Sequence, residues 1–356
     1  MTTSNLPLVA VSGLGRGESP QPGPAVIASL KRRWPDLRVA GLVYDALESG
    51  VYIDDGPEAA FTLPYPSCGG KILLQRIDEI RERFPFTVLI PTLDVEMEPL
   101  LGLSAELAKR GIETMLPEAD AFKARNKQNL PQLAERAGVL TPRTIAVHDP
   151  AEAAEWTYQL GGSAMIKGPF YDASRADSPA QARAQASRIL LEWGGPLLIQ
   201  ERLTGEEYDL LAVGDGLGDT LGSCAIRKLV VSSRGKGYAG ITVGDEDLHR
   251  AGTVLMYALK WRGPWECEFI RTKDGLFHLI EINPRFPAWA DFPAAIGTNL
   301  VAAALRQTLD LPEEELYDVP AGKVFLRHSV DIVCDATDFS RLAVEGHLFR
   351  QPITQS

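Results

Sequence analysis

The first part of the chain alternates short apolar runs with amphipathic stretches. Strands separated by helices of this length predict a parallel sheet that helices cover on both faces. Ligands of such a sheet gather beyond the carboxyl ends of its strands, which makes residues 12–16 and 92–94 candidate substrate contacts. The predicted strands are residues 6–13, 37–45 and 87–94, and the predicted helices are residues 24–33, 70–84 and 99–110.

Beyond residue 116 the pattern predicts a further α/β unit and then an α+β unit. Apolar residues at helical spacing predict a helix over 123–138, and Gly138 suits its carboxyl-terminal cap. From Glu207 on, period-two alternation predicts antiparallel strands. The predicted strands are 164–167, 197–201, 208–213, 221–232, 265–271, 276–283 and 323–333, with helices over 178–193 and 299–309.

Composition narrows the range of partners. The 356 residues include 36 Lys and Arg against 47 Asp and Glu, which gives a net charge of −11 and a pI near 5.1. This balance argues against a broad basic face that binds nucleic acid. No apolar run approaches the length of about 18 residues that a membrane span needs, and the amino-terminal stretch has no basic start like that of a signal peptide. We expect a cytoplasmic protein with no nucleic-acid or membrane partner.

The most informative segment is a predicted hairpin near residue 275. Asp274–Gly275 stands between two apolar-alternating runs, the strongest short-range hairpin signal. A two-residue loop at this position places Glu268 directly across from Glu281, although like charges facing each other are destabilising. Strand alternation puts Glu266 and Asn283 on the same surface as this pair. The same alternation directs the side chains of Cys267, Phe269, Ile280 and Ile282 into the core.

A divalent metal ion would compensate the facing carboxylates. Glu268, Glu281 and the amide oxygen of Asn283 form a set of hard oxygen ligands that suits Mg²⁺, which keeps its other positions for water and phosphate oxygens. Arg285 follows closely and adds the positive charge that phosphoryl transfer requires. The alternative is a solvated acidic face on an exposed hairpin.

The sequence Glu-Ile-Asn-Pro-Arg at 281–285, with Glu268 upstream, resembles the metal-binding signature of the ATP-grasp superfamily. The similarity is greatest to the branch that contains biotin carboxylase and the large chain of carbamoyl-phosphate synthetase. It implies a parallel-sheet pre-ATP-grasp domain followed by a two-lobed ATP-grasp domain. The implied divisions are a pre-ATP-grasp domain at 1–115, an amino-terminal lobe at 116–200, a carboxyl-terminal lobe with the metal hairpin at 201–310, and an extension at 311–356.

The resemblance also implies a nucleotide site. Lys127, at the start of the predicted helix, matches the family's first phosphate-contacting lysine, and Lys167 matches the second. Glu201 and the backbone of Arg202 and Leu203 match the adenine contacts, and Glu207 matches the acid that reaches the ribose. For Lys127, Glu201 and Glu207 the alternative is an ordinary solvated surface charge.

The sequence departs from the family at the loop that covers the phosphates. Relatives have a glycine-rich loop after the second lysine, whereas residues 168–175 contain a single glycine. The segment 232–238, with two glycines and the cation Lys236, is a candidate replacement. Arg227, on the preceding strand, matches basic residues that contact phosphate or the acyl group in relatives. An ordinary basic hairpin tip is the alternative for this region.

Taken with the resemblance, these residues predict an ATP- and Mg²⁺-dependent ligase, with Mn²⁺ as an alternative ion. The family chemistry activates a carboxylate as an acyl phosphate, releases ADP, and lets an amine attack to form an amide. Arg285, with Lys236 and Arg227, would neutralise charge on the transferring group. The expected partners are a small-molecule or peptide carboxylate and an amine, and the resemblance implies a homodimer.

Three alternatives and one pocket stay open at this stage. The same ATP site would serve a bicarbonate-using carboxylase or a carbamoylating enzyme, or it would bind ATP without turnover. A nicotinamide-dependent dehydrogenase depends only on the glycines of residues 13–18, which otherwise form a glycine-rich turn. The aromatic residues Phe286, Trp289 and Phe292 either form the floor of an acceptor pocket or pack in the core.

Overall fold

The computed structural model describes residues 6–16, 20–168, 173–232, 237–312 and 314–350. Within these ranges the chain forms three β-sheets and the helices that cover them. In the same part of the chain every helix is too short or too polar to cross a bilayer.

The first sheet has six strands in the order β16-β3-β2-β1-β4-β5. All neighbours run parallel except β16, which pairs antiparallel with β3 at the edge. The parallel sheet predicted from the first three apolar runs is confirmed, and all residues of its three central strands are buried. The strands are β1 (Val9–Ser12), β2 (Val39–Val43), β3 (Ala59–Thr62), β4 (Val88–Ile90), β5 (Glu113–Thr114) and β16 (His347–Phe349).

Helices α1 (Gly23–Arg33), α2 (Gly70–Arg83), α3 (Asp94–Gly102) and α4 (Ser104–Lys109) accompany this sheet. The third predicted helix is wrong in its start, because α3 begins at Asp94 and not at Pro99. The buried carboxylate of Glu96 accepts hydrogen bonds from the amides of Thr92 (3.2 Å) and Leu93 (3.1 Å), which fixes the first turn there. This start places Asp94 at the sheet edge where ligands are expected.

The second sheet has four strands in the order β6-β9-β7-β8. Helix α8 begins after Ser178, whose hydroxyl caps it. The strands are β6 (Thr144–Val147), β7 (Ala164–Lys167), β8 (Ala173–Ala176) and β9 (Leu197–Glu201), and the accompanying helices are α7 (Pro150–Gln159) and α8 (Pro179–Trp193).

The helix predicted over 123–138 is divided in two. The structure has α5 (Ala119–Ala124) and α6 (Leu130–Ala137), and Lys127 lies in the turn between them. Proline lacks an amide hydrogen and favours the first turn of a helix, so Pro131 fixes the start of α6 three residues after Lys127. The prediction that Lys127 begins a helix is therefore wrong.

The third sheet is antiparallel, with the order β14-β13-β10-β11-β12-β15. Strand β12 and helix α9 were not predicted, and β15 is shorter than the predicted strand over 323–333. The strands are β10 (Gly205–Asp215), β11 (Thr220–Val231), β12 (Gly237–Val243), β13 (Arg262–Thr272), β14 (Phe277–Asn283) and β15 (Val324–Leu326), and the remaining helices are α9 (Glu246–Leu259), α10 (Asp291–Ala295), α11 (Leu300–Thr308) and α12 (Ala336–Glu345).

The two faces of the third sheet bury different partners. One face, with Leu210 and Trp265, packs in a core with residues of α6 and α9. The opposite face contributes Leu211 and Cys224 to a core shared with the first sheet, α1 and α11. The third sheet is therefore enclosed between helices and the first sheet. The polar residues of this opposite face lie at the boundary between the third sheet and the first sheet.

The predicted hairpin forms, but its turn is longer than expected. Pairing of Arg271 with Phe277, and a 3.0 Å hydrogen bond from the Thr272 amide to the Leu276 carbonyl, leave a three-residue connection, 273–275. The prediction of a two-residue loop is wrong. Gly275 has a φ of 86°, which suits the left-handed residue of a three-residue hairpin loop.

A β-bulge restores the register that the longer turn would shift. Glu268 pairs with Glu281, whereas the next pair is Phe269 with Leu279, so Ile280 is an extra residue in β14. The side chains of Leu279 and Phe277 are buried, and Ile280 is half-buried, which corrects the expectation that Ile280 belongs to the core.

Candidate functional site

One face of the third sheet concentrates carboxylates beside the first sheet. Strand pairing sets Asp209 opposite Glu268, and Glu268 opposite Glu281. Alternation along the strands places Glu207 and Glu266 on the same face. We call this surface the acidic face, and its carboxylates are those of Glu207, Asp209, Glu266, Glu268 and Glu281.

Two lysines compensate the facing pair. The Lys228 ammonium lies 3.0 Å from a Glu268 oxygen, and the Lys127 ammonium lies 3.2 Å from a Glu281 oxygen. Both glutamate side chains are partly exposed, with 25% and 31% of their surface accessible, so a ligand can reach them. The pair is neither a fully solvated face nor a closed ion pair. It is a half-buried cluster in which both signs of charge meet.

Lys228 also forms a buried ion pair with Asp209, at 3.0 Å. Burial lowers the pKa of Lys228, but the charges of Glu268 and Asp209 outweigh it, so the pKa lies above its ordinary value. Burial, reinforced by the charge of Glu266, raises the pKa of Asp209 well above its usual range. Lys228 therefore stays cationic at the centre of the acidic face.

Arg227, which the sequence assigned to the transferring group, lies on the opposite face of the sheet. It pairs with Tyr208 in the ladder, and its guanidinium lies 2.5 Å from Glu206. Consecutive residues of a strand face opposite ways, so only its neighbour Lys228 reaches the acidic face. The expectation that Arg227 contacts the transferring group is corrected, because its side chain lies on the face opposite the acidic face.

Lys167 approaches the acidic face from the second sheet. It ends β7 and is 6% exposed. Burial lowers its pKa, while the charge of Glu281 acts in the opposite direction. In the described part of the chain its ammonium has neither a hydrogen bond nor an ion pair. A buried ammonium without a partner is costly, and an anion at this position would relieve that cost.

Arg285 joins the acidic face to the first sheet. Its Nε lies 3.0 Å from an Asp94 oxygen, and its Nη1 lies 3.6 Å from a Glu266 oxygen. Burial acts to lower the pKa of Arg285, but the charges of Asp94 and Glu266 act more strongly in the opposite direction. The pKa of Arg285 therefore lies above its ordinary value. The guanidinium is therefore a fixed cation beside the predicted metal ligands.

The predicted adenine and ribose contacts lie where β9 leads into β10. The carboxylate of Glu201 is 3.3 Å from the Arg143 side chain, and the Arg202 guanidinium is 3.6 Å from Asp177. Glu207 is on the acidic face, 3.5 Å from Lys228. The backbone of Arg202 and Leu203 connects the second sheet to the third. Residues 233–236 of the proposed phosphate cover, which include Lys236, lie outside the described residues, as do residues 169–172 at the position of the family's glycine-rich loop.

The donor set fits a metal ion that arrives with phosphate. Among the described residues no group of three or more His, Cys, Asp or Glu side chains has the arrangement of a metal centre. The predicted set has only two carboxylates, Glu268 and Glu281, plus the amide of Asn283, whose Nδ2 donates to Glu268 at 3.0 Å. Mg²⁺ is commonly held by one or two carboxylates together with substrate phosphates.

A cavity of about 160 Å³ adjoins the acidic face and lies between the first sheet and the third sheet. Of the aromatic residues predicted for this pocket, Trp289 contributes to its wall, whereas Phe286 and Phe292 pack in the core. Two segments at strand ends were predicted to contact the substrate. Residues 92–94 line the cavity, whereas residues 12–16 do not. The lining also includes Asp209, Lys228, Glu266, Arg285 and Arg327.

Arg327 is a functional candidate that no sequence pattern indicated. It follows β15, and within the described residues its guanidinium has no hydrogen bond or ion pair, although it lies over the Phe325 ring at 5.8 Å. Glu266 was placed on the correct face, but without a role. No motif surrounds Arg327, so only the folding of the carboxyl-terminal segment against β12 reveals it.

Residues 13–16, the described part of the glycine-rich segment after β1, do not present free amides at Leu14 and Gly15. The amide of Leu14 donates to Glu48 at 2.6 Å, and the amide of Gly15 donates to Gln21 at 2.6 Å. These amides are occupied by side chains of the protein, so they do not face a pyrophosphate. This geometry disfavours the dehydrogenase alternative.

No protein-family model and no curated protein matches the sequence. Solved structures are similar to most of the chain. Biotin carboxylase from Campylobacter jejuni, determined with β,γ-ATP, has a TM-score of 0.68 at 15% identity, over 88% of this chain and 73% of that one. L-amino acid ligase from Bacillus licheniformis has a TM-score of 0.66 at 16% identity, over 90% and 78%.

A third similar structure is N5-carboxyaminoimidazole synthase from Aspergillus clavatus, bound to ADP and 5-aminoimidazole ribonucleotide. Its TM-score is 0.63 at 17% identity, over 87% of this chain and 78% of that one. The chain has the ATP-grasp fold. In the ATP-grasp layout of this chain, a parallel sheet precedes the two sheets that flank the β9–β10 junction. This confirms the predicted fold class.

Proposed function

We propose that this protein is an ATP- and Mg²⁺-dependent ligase that joins a carboxylate to an amine. The γ-phosphoryl group would pass to the carboxylate, giving an acyl phosphate and ADP. The amine nitrogen then attacks the acyl carbon, phosphate leaves, and the amine loses a proton to form the amide. Such chemistry depends mainly on positioning and electrostatics, so it needs no side-chain nucleophile.

The observation that carries the proposal is the meeting of three elements at one carboxylate pair. Lys127 comes from the α5–α6 turn, Lys167 from the second sheet, and Glu268 and Glu281 from the hairpin. Two ammonium groups beside two carboxylates suit an anionic ligand that brings its own cation. MgATP has this character, and similar structures contain ADP or MgADP.

Within this proposal each group has a separate role. Glu268, Glu281 and Asn283 would hold Mg²⁺, or Mn²⁺, which supplies charge neutralisation for the phosphates. Lys127 and Lys167 would bind the phosphates, and Arg285 would neutralise the transferring group. Glu201, the backbone of Arg202 and Leu203, and Glu207 would bind the adenosine; Lys236 stays a proposed phosphate or carboxylate contact.

The cavity is the proposed acceptor site. Its cations Lys228 and Arg285 are already paired with carboxylates, whereas Arg327 has no such partner in the described residues. We assign the substrate carboxylate to Arg327, because guanidinium groups bind carboxylates through paired hydrogen bonds. We also propose that the carboxylate and the amine are small molecules or peptides and that the protein forms a homodimer.

A bicarbonate-using carboxylase is the second candidate. The cavity volume of about 160 Å³ accommodates a substrate as small as bicarbonate. One similar structure is a biotin carboxylase domain with MgADP and bicarbonate. ADP release that requires bicarbonate, and not an amine, would favour this candidate.

The deciding experiment measures ADP release with panels of amino acids, other carboxylates, amines and bicarbonate, with mass spectrometry of the products. Amine-dependent ADP release with an amide product supports the proposal. AMP as the product would contradict it, because AMP indicates adenylation. ADP binding without turnover across the panel would indicate a nucleotide-binding module.

Glu281→Gln tests the metal assignment in the same assay. Loss of one carboxylate removes a proposed ligand and also relieves repulsion with Glu268, so we expect an intact fold and no measurable ADP release. Glu246→Gln, an exposed change on α9, is the control. Wild-type turnover in Glu281→Gln would contradict the assignment.

A further inference from the structure

Glu266 is a buried carboxylate on which three donors converge. It is two residues before Glu268 on β13, and its side chain is 7% exposed. One oxygen accepts the indole hydrogen of Trp289 at 2.8 Å. The other accepts from Nδ2 of Asn283 at 3.1 Å and lies 3.6 Å from Nη1 of Arg285. These contacts satisfy a charge that would otherwise be costly to bury.

The contact with Asn283 determines which atom of that amide is free. Its Nδ2 donates to Glu266 at 3.1 Å and to Glu268 at 3.0 Å, so both hydrogens of the amide are used. The reversed amide would direct its oxygen at two carboxylates. In the described residues no donor reaches Oδ1 of Asn283. Glu266 therefore helps to leave that oxygen free as a ligand.

The other two contacts of Glu266 are with Arg285, which is proposed to act in phosphoryl transfer, and with Trp289, which lines the proposed acceptor site. Asp94 holds Arg285 from the first sheet, at 3.0 Å, and Glu266 holds it from the third. Trp289 lines the cavity, and its hydrogen bond to Glu266 fixes the plane of the indole ring. One carboxylate thus joins a metal ligand, the transfer arginine and the acceptor wall.

We propose that Glu266 is a positioning residue that sets the Asn283 amide, the Arg285 guanidinium and the Trp289 ring in a fixed relation. The inference rests on the proposed function, because that function gives the three side chains their roles. Glu266 lines the cavity, but in this scheme it holds neither the metal ion nor the nucleotide, and it acts on both through its partners. A merely structural glutamate would affect stability, but it would not affect the metal requirement of nucleotide binding.

Glu266→Gln provides the main test. Glutamine keeps the size of the side chain but has one oxygen and an amide donor, so it cannot accept from both Trp289 and Asn283, and it favours rotation of the Asn283 amide. We expect the Mg²⁺ concentration for half-maximal ADP binding, measured by calorimetry, to rise about tenfold, or about 1.4 kcal/mol. Binding of metal-free ADP should be unchanged. An unchanged Mg²⁺ requirement would overturn the inference.

Two further variants locate the effect. In an Asn283→Ala background, Glu266→Gln should change the Mg²⁺ requirement by less than about twofold, since the partner through which it acts is absent. A full, additive effect would show that Glu266 acts on the metal by another route. Glu98→Gln, which removes an exposed charge on α3 that has none of these contacts, should match wild type.

Trp289→Phe keeps the inference testable if Glu266→Gln does not fold. Loss of the indole donor should leave the Mg²⁺ requirement unchanged and raise the acceptor KM several-fold with little change in kcat. An unchanged acceptor KM would contradict the link to the acceptor wall. A wild-type protein that binds MgADP but forms no amide would refute the proposed function alone, because the Mg²⁺ measurement still decides the role of Glu266.

Discussion

At the scale of single residues, the charges of the site were visible in the sequence, but their partners were not. Glu268 and Glu281 were placed opposite each other by counting residues, and the structure pairs them. The counting gave no means to see that Lys228 and Lys127 would compensate them. The long side chains of Lys and Arg can reach residues on neighbouring elements. Their partners therefore depend on which elements pack together, and sequence separation does not indicate this.

Lys167 offers a prediction at this scale. Its buried ammonium has a lowered pKa, so the unfolded chain binds the proton more tightly and stability rises with pH between the folded and unfolded pKa values. Lys167→Met should raise the free energy of unfolding without nucleotide by about 1 kcal/mol at neutral pH, and this gain should shrink toward alkaline pH.

Denaturant unfolding at several pH values, with calorimetry of MgADP, measures both consequences of Lys167→Met. Nucleotide binding should weaken at least tenfold, since the proposed phosphate contact of Lys167 is lost. Lys123→Met, an exposed change on α5, should alter neither quantity. Unweakened nucleotide binding in Lys167→Met would contradict the role of Lys167.

At the scale of elements, the β13–β14 hairpin reaches the predicted pairing of Glu268 with Glu281 through a longer turn and a bulge. The three-residue turn moves one residue out of the ladder, and the bulge at Ile280 returns the register. Between turn and bulge, Phe277 and Leu279 are buried where the regular ladder would have buried His278 and Ile280. Burial of the larger apolar surface favours this arrangement, and pattern counting assumes a regular ladder.

Gly275→Ala tests the turn. At a φ of 86° a Cβ is strained, so the free energy of unfolding should fall by about 1–2 kcal/mol in denaturant titrations. Gly102→Ala is the matched control, because that glycine lies in α3 with nothing within 4 Å of an added Cβ. Equal stability of Gly275→Ala and wild type would show that the turn relaxes without strain.

At the scale of the whole molecule, the site is completed by contacts between distant segments. Arg285 follows the hairpin, yet its strongest contact is with Asp94 at the start of α3. The carboxyl-terminal segment adds β15 to the third sheet and β16 to the first, and Arg327 lies at the cavity between them. The cavity proposed as the acceptor site therefore exists only when the first and third sheets are assembled.

Asp94→Asn tests this connection. The substitution keeps the size of the side chain but removes the charge that holds Arg285, so kcat should fall about tenfold, or about 1.4 kcal/mol, while MgADP affinity stays within about twofold. Arg285→Ala should reduce kcat further. Glu98→Gln on the same helix is the control, and an equal loss in that variant would show that general charge, not the Asp94–Arg285 pair, is responsible.

The sequence by itself determined the parallel first sheet, the antiparallel hairpin and the side of the hairpin on which the acids lie, because these follow from local periodicity and turn chemistry. Only the tertiary structure decided that Lys228 and not Arg227 serves the acidic face, that Glu266 joins three side chains, and that Arg327 reaches the cavity. Those outcomes depend on which strands become neighbours and how segments far apart in sequence pack, and local pattern carries no information on either.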